Sequence, residues 1–179
     1  MKKIVITGGI GYIGTELCKI YSGYSWNDNI TVIDNRFISE RVNQLRNWNI
    51  NFIHGDILDN ELVKKYCKDA DVVHHLAGVT AVPRVKSESS DDQEKYISEA
   101  AQQGTKNILD VISDKCKIIM PSTHVVYEGL QSVKKDIAEN EKTQPVLAYG
   151  KSKDINENQL KNSGKNYIIL RLGSVYGYS

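Results

Sequence analysis

Short apolar runs alternate with longer segments of mixed polarity along the whole chain. The first run, Lys3 to Thr7, is rich in β-branched residues and ends directly before glycines, as a buried strand of a parallel sheet does. Five further runs have the same character, and we predict them as strands: Asn29 to Asp34, Asn51 to His54, Asp71 to His75, Lys117 to Pro121 and Tyr167 to Arg171.

The segments between these runs are long enough for helices. We predict helices at residues 11–22, 39–47, 60–68, about 89–112 and 149–162. The polar run Ser87 to Glu94 is predicted as a solvated loop and helix start, and Ser163-Gly164 as a helix stop. Strands alternating with helices indicate right-handed crossovers and therefore an α/β fold, a Rossmann-type doubly wound parallel sheet with helices on both faces. Without a repeat or proline-rich linker, we expect one domain over residues 1–179.

A glycine-rich turn, TGGIGYIG, joins the first strand to the first helix. Gly9, Gly11 and Gly14 satisfy the spacing G-x-G-x-x-G, and Gly8, Gly11 and Gly14 satisfy GxxGxxG. Glycine lets the backbone approach a pyrophosphate closely, and the N-terminus of the following helix presents free N–H groups to the phosphates. We therefore predict that the turn binds a dinucleotide.

An acidic residue, Asp34, ends the second predicted strand twenty residues after Gly14. A carboxylate at this place can accept hydrogen bonds from the adenosine ribose, and it favours NAD because a 2′-phosphate would meet its negative charge. Arg36 keeps NADP as an alternative, since a nearby arginine can accommodate that phosphate.

A tyrosine and a lysine stand four residues apart in the segment YGKSK, so Tyr149 and Lys153 share one face of the last predicted helix. A free tyrosine has a pKa of about 10, and a neighbouring cation lowers that pKa by favouring the phenolate. We interpret Tyr149 as a general base that Lys153 assists. The alternative is that both are solvated helix residues.

Several motifs occur in the order found in one group of enzymes. They read TGGIGYIG, VIDN, HGDILD, HLAG, QGTKNIL, STHVVY, YGKSK and LRLGSVYG, and together they span nearly the whole chain. In this the chain resembles the extended short-chain dehydrogenase/reductases of the NAD-dependent epimerase/dehydratase family, and in particular those similar to UDP-galactose 4-epimerase. The chain stops where these enzymes continue into a substrate domain, so we expect it to be either a fragment or a stand-alone cofactor domain.

The resemblance implies NAD as cofactor and assigns residues to its parts. The implied cofactor contacts are Gly8, Gly11, Tyr12, Ile13, Asp34, Asn35, Asp56, Ile57, Leu76, Ala77, Gly78, Tyr149 and Lys153. The implied catalytic residues are Thr123, Tyr149 and Lys153, and Thr123, Tyr149 and Ser174 would contact the substrate.

The resemblance also implies a reaction on a nucleotide sugar. Tyr149 would take a hydroxyl proton while NAD accepts a hydride, and return of the hydride to the other face of a keto-sugar would complete an epimerisation. Val125 stands where related dehydratases carry an acidic residue, and this favours epimerisation. The alternatives are an NAD(P)-dependent dehydrogenase or reductase, a dehydratase of the same family, and a non-catalytic NAD-binding module.

Composition restricts the partners and the cellular location that we expect. A net charge of +1 gives no electrostatic reason to expect nucleic acid or an anionic membrane as partner. No apolar run approaches the length of a membrane span, and the three cysteines form no CxxC pair or zinc-ligand spacing. We therefore expect a cytoplasmic protein with reduced cysteines and no metal, and the resemblance suggests a homodimer.

Overall fold

The computed structural model describes residues 1–23, 29–79, 90–131 and 136–177. The first residues of the predicted polar loop, 87–89, and the last two residues of the chain lie outside the described part. The remainder of that polar run starts a helix at Asp91.

Six parallel strands form one sheet in the order β3-β2-β1-β4-β5-β6. The strands are β1 (Lys3–Thr7), β2 (Asn29–Asp34), β3 (Asn51–His54), β4 (Val72–His75), β5 (Lys117–Thr123) and β6 (Asn166–Leu172). The order reverses between β1 and β4, and a crevice opens at such a reversal beyond the carboxyl ends of the strands. The predicted Rossmann-type fold is confirmed.

Five helices connect the strands in the described part of the chain. They are α1 (Tyr12–Gly23), α2 (Ser39–Asn47), α3 (Asn60–Cys67), α4 (Asp91–Val111) and α5 (Ala148–Asn162). Gly164, with φ +69°, follows α5 in the left-handed conformation that glycine adopts at helix ends. The predicted helices are confirmed to within about two residues at each end.

The core consists of two apolar clusters, one on each face of the sheet. Alternate residues of β1 point to opposite faces, so Val5 belongs to one cluster while Ile4 and Ile6 belong to the other. The Val5 cluster continues into α3, α4 and α5, and the Ile4 cluster continues into α1 and α2. Burial on both faces explains why the inner strands are continuous apolar runs.

Strand β5 extends two residues further than its apolar run predicts. Ser122 and Thr123 pair in register with Arg171 and Leu172 of β6, and a short 3₁₀ helix, His124–Tyr127, follows directly. Thr123 caps this helix by accepting a hydrogen bond from the Val125 N–H at 3.2 Å. Thr123, a residue of predicted catalytic function, thus lies at the carboxyl end of the strand, beside the crevice.

Candidate active site

A cleft of about 800 Å³ lies beyond the carboxyl ends of the strands. Fourteen of the fifteen predicted site residues line it, namely Gly8, Gly11, Tyr12, Ile13, Asp34, Asn35, Asp56, Ile57, Leu76, Ala77, Gly78, Thr123, Tyr149 and Lys153. Ser174 follows β6 as an exposed residue and is not among the lining residues, whereas its neighbours Gly173 and Val175 are. The fold therefore brings together residues from distant parts of the sequence.

The glycine turn is packed so closely that side chains have no room at two of its positions. Gly8 has φ +71°, and a Cβ there would stand 2.6 Å from the backbone nitrogen of Ala77. A Cβ on Gly14 would stand 2.6 Å from the carbonyl oxygen of Gly8. The absence of side chains lets the backbone of the turn pack closely against the end of β4 and against itself at the start of α1. Tyr12 and Ile13, whose first-turn N–H groups have no intrahelical acceptor, line the cleft beside it.

Asp34 is buried at the end of β2 and is anchored by three donors. Its Oδ2 accepts from the Ile10 N–H at 3.2 Å, and its Oδ1 accepts from the backbone N–H of Arg36 at 3.0 Å and from Arg36 Nε at 3.3 Å. The carboxylate ties the glycine turn to the end of β2. It lines the cleft where the sequence places the adenosine ribose.

The next pair along the sheet, Asn35 and Asp56, is joined by a hydrogen bond from Asn35 Nδ2 to Asp56 Oδ2 at 2.9 Å. A residue missed from sequence supports the following loop, because Asn107 of α4 donates to the carbonyls of Ile57 and Leu58 at 3.0 and 3.2 Å. Asn107 is buried and lies fifty residues from Ile57, so only its polarity within an apolar helix face could have signalled the role.

Tyr149 and Lys153 meet in the cleft at the start of α5. The Lys153 Nζ lies 5.9 Å from the centre of the Tyr149 ring and donates to the carbonyl of Pro121 at 3.1 Å. Burial lowers the pKa of Lys153 to about 8 and raises the pKa of Tyr149. The expected lowering of the Tyr149 pKa is therefore wrong for the protein itself, because removal of the phenol from water outweighs the ammonium at this distance.

A buried ion cluster holds the elements that carry these residues. Glu157 of α5 is completely buried; its Oε1 accepts from Ser122 Oγ at 2.6 Å and Arg171 Nε at 2.9 Å. Its Oε2 accepts from Arg171 Nη2 at 2.6 Å and Lys161 Nζ at 2.9 Å. The cluster joins α5 to the ends of β5 and β6. Sequence reasoning missed it, although Lys153, Glu157 and Lys161 repeat every four residues on one helix face.

The floor of the cleft contains a third group to which the sequence assigned no site role, His75. This residue is 1% exposed, and its ring nitrogens lie 2.9 Å from Thr7 Oγ1 and 3.0 Å from Thr105 Oγ1. Burial and the nearby Lys153 charge lower the pKa of His75 to about 3. A ring held neutral between two hydroxyls joins β1, β4 and α4, and its low pKa makes it a poor proton acceptor near neutral pH.

His124 and Val125 follow Thr123 but lie outside this cleft. Both line a separate depression with Tyr127, Glu128, Ile137, Glu139 and Arg171. The Nδ1 of His124 is 3.3 Å from the carbonyl of Leu172, so the ring is directed toward the end of β6. Neither residue is among those that line the cleft with Thr123 and Tyr149.

No group of three or more histidine, cysteine, aspartate or glutamate residues could hold a metal ion within the four described segments. Among the helices in those same segments, none combines the length and apolar character needed to cross a membrane.

A family model described as the NAD dependent epimerase/dehydratase family matches residues 4–179. The chain belongs to this family. A UDP-glucose 4-epimerase of Mycoplasma genitalium is 31% identical over 98% of the chain, and a dTDP-D-glucose 4,6-dehydratase of Dictyostelium discoideum is 29% identical over 99%. The matches cover 53% and 44% of these two proteins, so the chain spans about half the length of the curated relatives it matches.

Two solved structures with bound NAD share the fold. The Bordetella bronchiseptica enzyme WbmH in complex with NAD⁺ superposes with a TM-score of 0.81 at 25% identity, over 99% of this chain and 57% of that chain. A UDP-glucuronic acid 4-epimerase from Bacillus cereus in complex with NAD superposes with a TM-score of 0.79 at 25% identity, over 97% and 57% of the two chains.

Proposed function

We propose that the chain carries the cofactor-binding and catalytic part of an NAD-dependent epimerase acting on a nucleotide sugar. One observation supports this most strongly: Thr123, Tyr149 and Lys153 line the same cleft as the glycine turn and Asp34. A phosphate-binding turn alone would be compatible with many dinucleotide proteins. Its combination with a phenol, an ammonium and a hydroxyl in one cleft adds the groups that proton transfer at a sugar hydroxyl requires.

The residues of the cleft fit NAD. The close packing at Gly8 and Gly14 keeps the turn free of side chains, so backbone N–H groups at the start of α1 are available to the pyrophosphate. Asp34 would hold the adenosine ribose, and Asp56 with the backbone of Ile57 would border the adenine. Leu76, Ala77 and Gly78 would line the central part of the cofactor. When bound, NAD supplies the exchange of a hydride with the sugar carbon.

Tyr149 would take the proton of the reacting sugar hydroxyl. Lys153, buried with a pKa of about 8, is still largely protonated at neutral pH, and its charge favours the phenolate form of the tyrosine. Thr123, fixed at the end of β5 by the Val125 N–H, would hydrogen-bond the same hydroxyl and orient it toward Tyr149. After the keto-sugar has turned its other face toward the site, Tyr149 would return the proton to the sugar oxygen.

The distribution of carboxylates supports epimerisation over loss of water. Among the described residues, those that line the cleft include two acids, Asp34 at the end of β2 and Asp56 after β3, and both lie on the β2–β3 side of the sheet reversal. Tyr149 and Thr123 lie on the β5 side. A dehydratase needs a proton-transfer group beside the sugar, and Val125 cannot serve as one.

The nucleotide-sugar substrate is inferred from the relatives. A homodimer and a cytoplasmic location stay predictions.

The proposal is tested by calorimetry on the chain and by product analysis on a full-length version that includes a sugar-binding part. We expect NAD to bind, and Tyr149→Phe to bind it with nearly unchanged affinity while losing all interconversion of UDP-glucose and UDP-galactose. Tyr167→Phe, at a partly exposed tyrosine on β6, is the matched control and should behave as the wild type.

Each other outcome selects a different function. In the full-length version, accumulation of NADH with substrate would indicate a dehydrogenase, and binding of NAD with no turnover of any nucleotide sugar would indicate a non-catalytic module. Equal turnover by Tyr149→Phe and the wild type would remove Tyr149 as the base.

A further inference from the structure

Glu128, the residue directly after the short 3₁₀ helix, holds the segment that leads into α5. Its Oε1 accepts hydrogen bonds from the backbone N–H of Val146 at 2.6 Å and from that of Leu147 at 2.5 Å. Leu147 is the N-cap residue of α5, and its own side chain makes no capping hydrogen bond. The carboxylate of Glu128 therefore supplies this helix start with an acceptor from another part of the chain.

The first turn of α5 leaves room for the Glu128 carboxylate. In a capping box, a glutamate or glutamine at the third helical position bonds the backbone N–H of the N-cap residue. The third residue of α5 is Gly150, which has no side chain to make that bond. A Cβ on Gly150 would lie 3.2 Å from Glu128 Oε1, so the carboxylate packs directly against this glycine. Glu128 thus takes the place of the missing local partner.

Backbone hydrogen bonds tie the same two segments together. The Gly129 N–H donates to the carbonyl of Gln144 at 2.8 Å, and the Gln144 N–H donates to the carbonyl of Val126 at 2.7 Å. These bonds hold the loop three residues before the N-cap Leu147. The two bonds of Glu128 extend the connection from that loop to the start of α5 itself.

The 3₁₀ helix connects Thr123 with the start of α5. Thr123 caps the beginning of this helix, and Glu128 follows its end. Tyr149 is the second residue of α5, two positions after Leu147. The hydrogen bonds of Glu128 therefore link the backbone that carries the threonine hydroxyl to the backbone that carries the phenol.

We propose that Glu128 is a positioning residue that fixes the start of α5, so that Tyr149 and Thr123 meet the same sugar hydroxyl. Glu128 is not among the residues that line the cleft, so it acts through the helix start and not by contact with the cofactor. A displacement of a reacting group by about 1 Å can lower a rate by about a hundredfold. The proposal rests on the proposed function, because it presumes that Tyr149 takes a proton from a sugar hydroxyl.

The test compares two substitutions of Glu128 in the full-length version that includes a sugar-binding part. Alanine removes the acceptor, whereas glutamine keeps a carbonyl oxygen that can accept both N–H groups. We expect Glu128→Ala to lower kcat for the interconversion of UDP-glucose and UDP-galactose by about tenfold to a hundredfold, with the KM and the NAD Kd changed by less than about threefold. Glu128→Gln should keep kcat within about threefold of the wild type.

Glu139→Ala is the matched control. Glu139 is an exposed glutamate that lines the same depression as Glu128. Its backbone carbonyl accepts from Arg171, and the substitution retains that carbonyl. This variant should keep the kcat of the wild type.

Amide hydrogen exchange of the chain gives a second readout that does not depend on turnover. The amides of Val146 and Leu147 should exchange about tenfold or more faster in Glu128→Ala than in the wild type, because they lose their acceptor. The amides of the buried strand β1 should keep their wild-type rates, which shows that the variant is folded. Glu128→Gln should exchange like the wild type at all of these positions.

The outcomes separate the role of Glu128 from the proposed function. An unchanged kcat in Glu128→Ala, or a loss in Glu128→Gln as large as that in Glu128→Ala, would overturn the proposal. A loss of NAD affinity equal to the loss of kcat, or faster exchange throughout β1, would also overturn it, because Glu128 would then support the fold as a whole. Absence of turnover in the wild type, with the expected exchange at Val146 and Leu147, would overturn the proposed function and leave the contact of Glu128 with α5 in place.

Discussion

Replacing Glu157 with glutamine tests whether the buried ion cluster holds the catalytic elements together. The carboxylate accepts four hydrogen bonds, from Ser122, Lys161 and, twice, Arg171. Glutamine keeps the shape, but its NH₂ group would face donors where an oxygen now accepts. It also leaves the Arg171 guanidinium, whose side chain is 12% exposed, without its counter-ion.

The size of the effect follows from the pKa of Glu157. Burial alone would raise this pKa, but the hydrogen bonds from Arg171, Ser122 and Lys161 outweigh burial and lower it from 4.5 to about 2. At about 1.36 kcal/mol per unit, the folded state gains roughly 3 kcal/mol from the ionised carboxylate at neutral pH. Glu157→Gln should therefore reduce the free energy of unfolding by roughly 2–4 kcal/mol, or the Tm by roughly 5–15 °C for a chain of this size.

Urea unfolding at a series of pH values measures the effect. Glu99→Gln is the control, because Glu99 pairs with Lys95 at 3.7 Å on the surface, with side chains 64% and 72% exposed, and its loss should cost less than about 0.5 kcal/mol. Since the folded pKa of Glu157 is depressed, its contribution is complete above the unfolded pKa and is lost as the pH falls through about 2. The gap between wild type and Glu157→Gln should close over that range. A gap no larger than that of Glu99→Gln, or one that persists at low pH, would show that the ionised Glu157 does not stabilise the fold in this way.

Three further predictions address the cleft. Gly14→Ala should abolish measurable NAD binding by calorimetry, because its Cβ would collide with the Gly8 carbonyl; Gly23→Ala, where a Cβ meets nothing within 4 Å, should bind normally. Lys153 has a lowered folded pKa of about 8, so its unfolded form binds the proton more tightly and it contributes a rise in stability between about pH 8 and 10.5; Lys153→Met should lack this rise in denaturant titrations. The imidazole of His75 should stay neutral from pH 5 to 8 in an NMR titration, given its pKa of about 3, and protonation within that range would contradict its buried placement.

The fold could be predicted because local pattern and global architecture agree in this chain. The β-branched runs before glycines mark buried parallel strands, and the TGGIGYIG turn marks the first crossover. The end of β5 was missed because Ser122 and Thr123 are polar, although they continue the ladder to β6. Apolarity shows where a strand is buried but does not show where its backbone pairing ends.

Of the candidate site, only the residues that belong to a recognisable motif could be predicted from the sequence. The pairs Asn107 with Ile57, and Glu157 with Arg171, join residues fifty and fourteen positions apart, and no local spacing signals them. The same reason explains the wrong sign of the Tyr149 pKa shift. The i, i+4 spacing revealed the neighbouring ammonium, whereas the burial that dominates the shift comes from the folded cleft.

A structure of the chain with bound NAD would show directly whether the cofactor spans the cleft from Asp34 to Tyr149. We expect the adenosine ribose beside Asp34, the pyrophosphate at the start of α1, and the nicotinamide ring beside Tyr149 and Lys153 with Thr123 facing the same space. A dinucleotide bound with its nicotinamide at the Asp34 end, or bound outside this cleft, would contradict it.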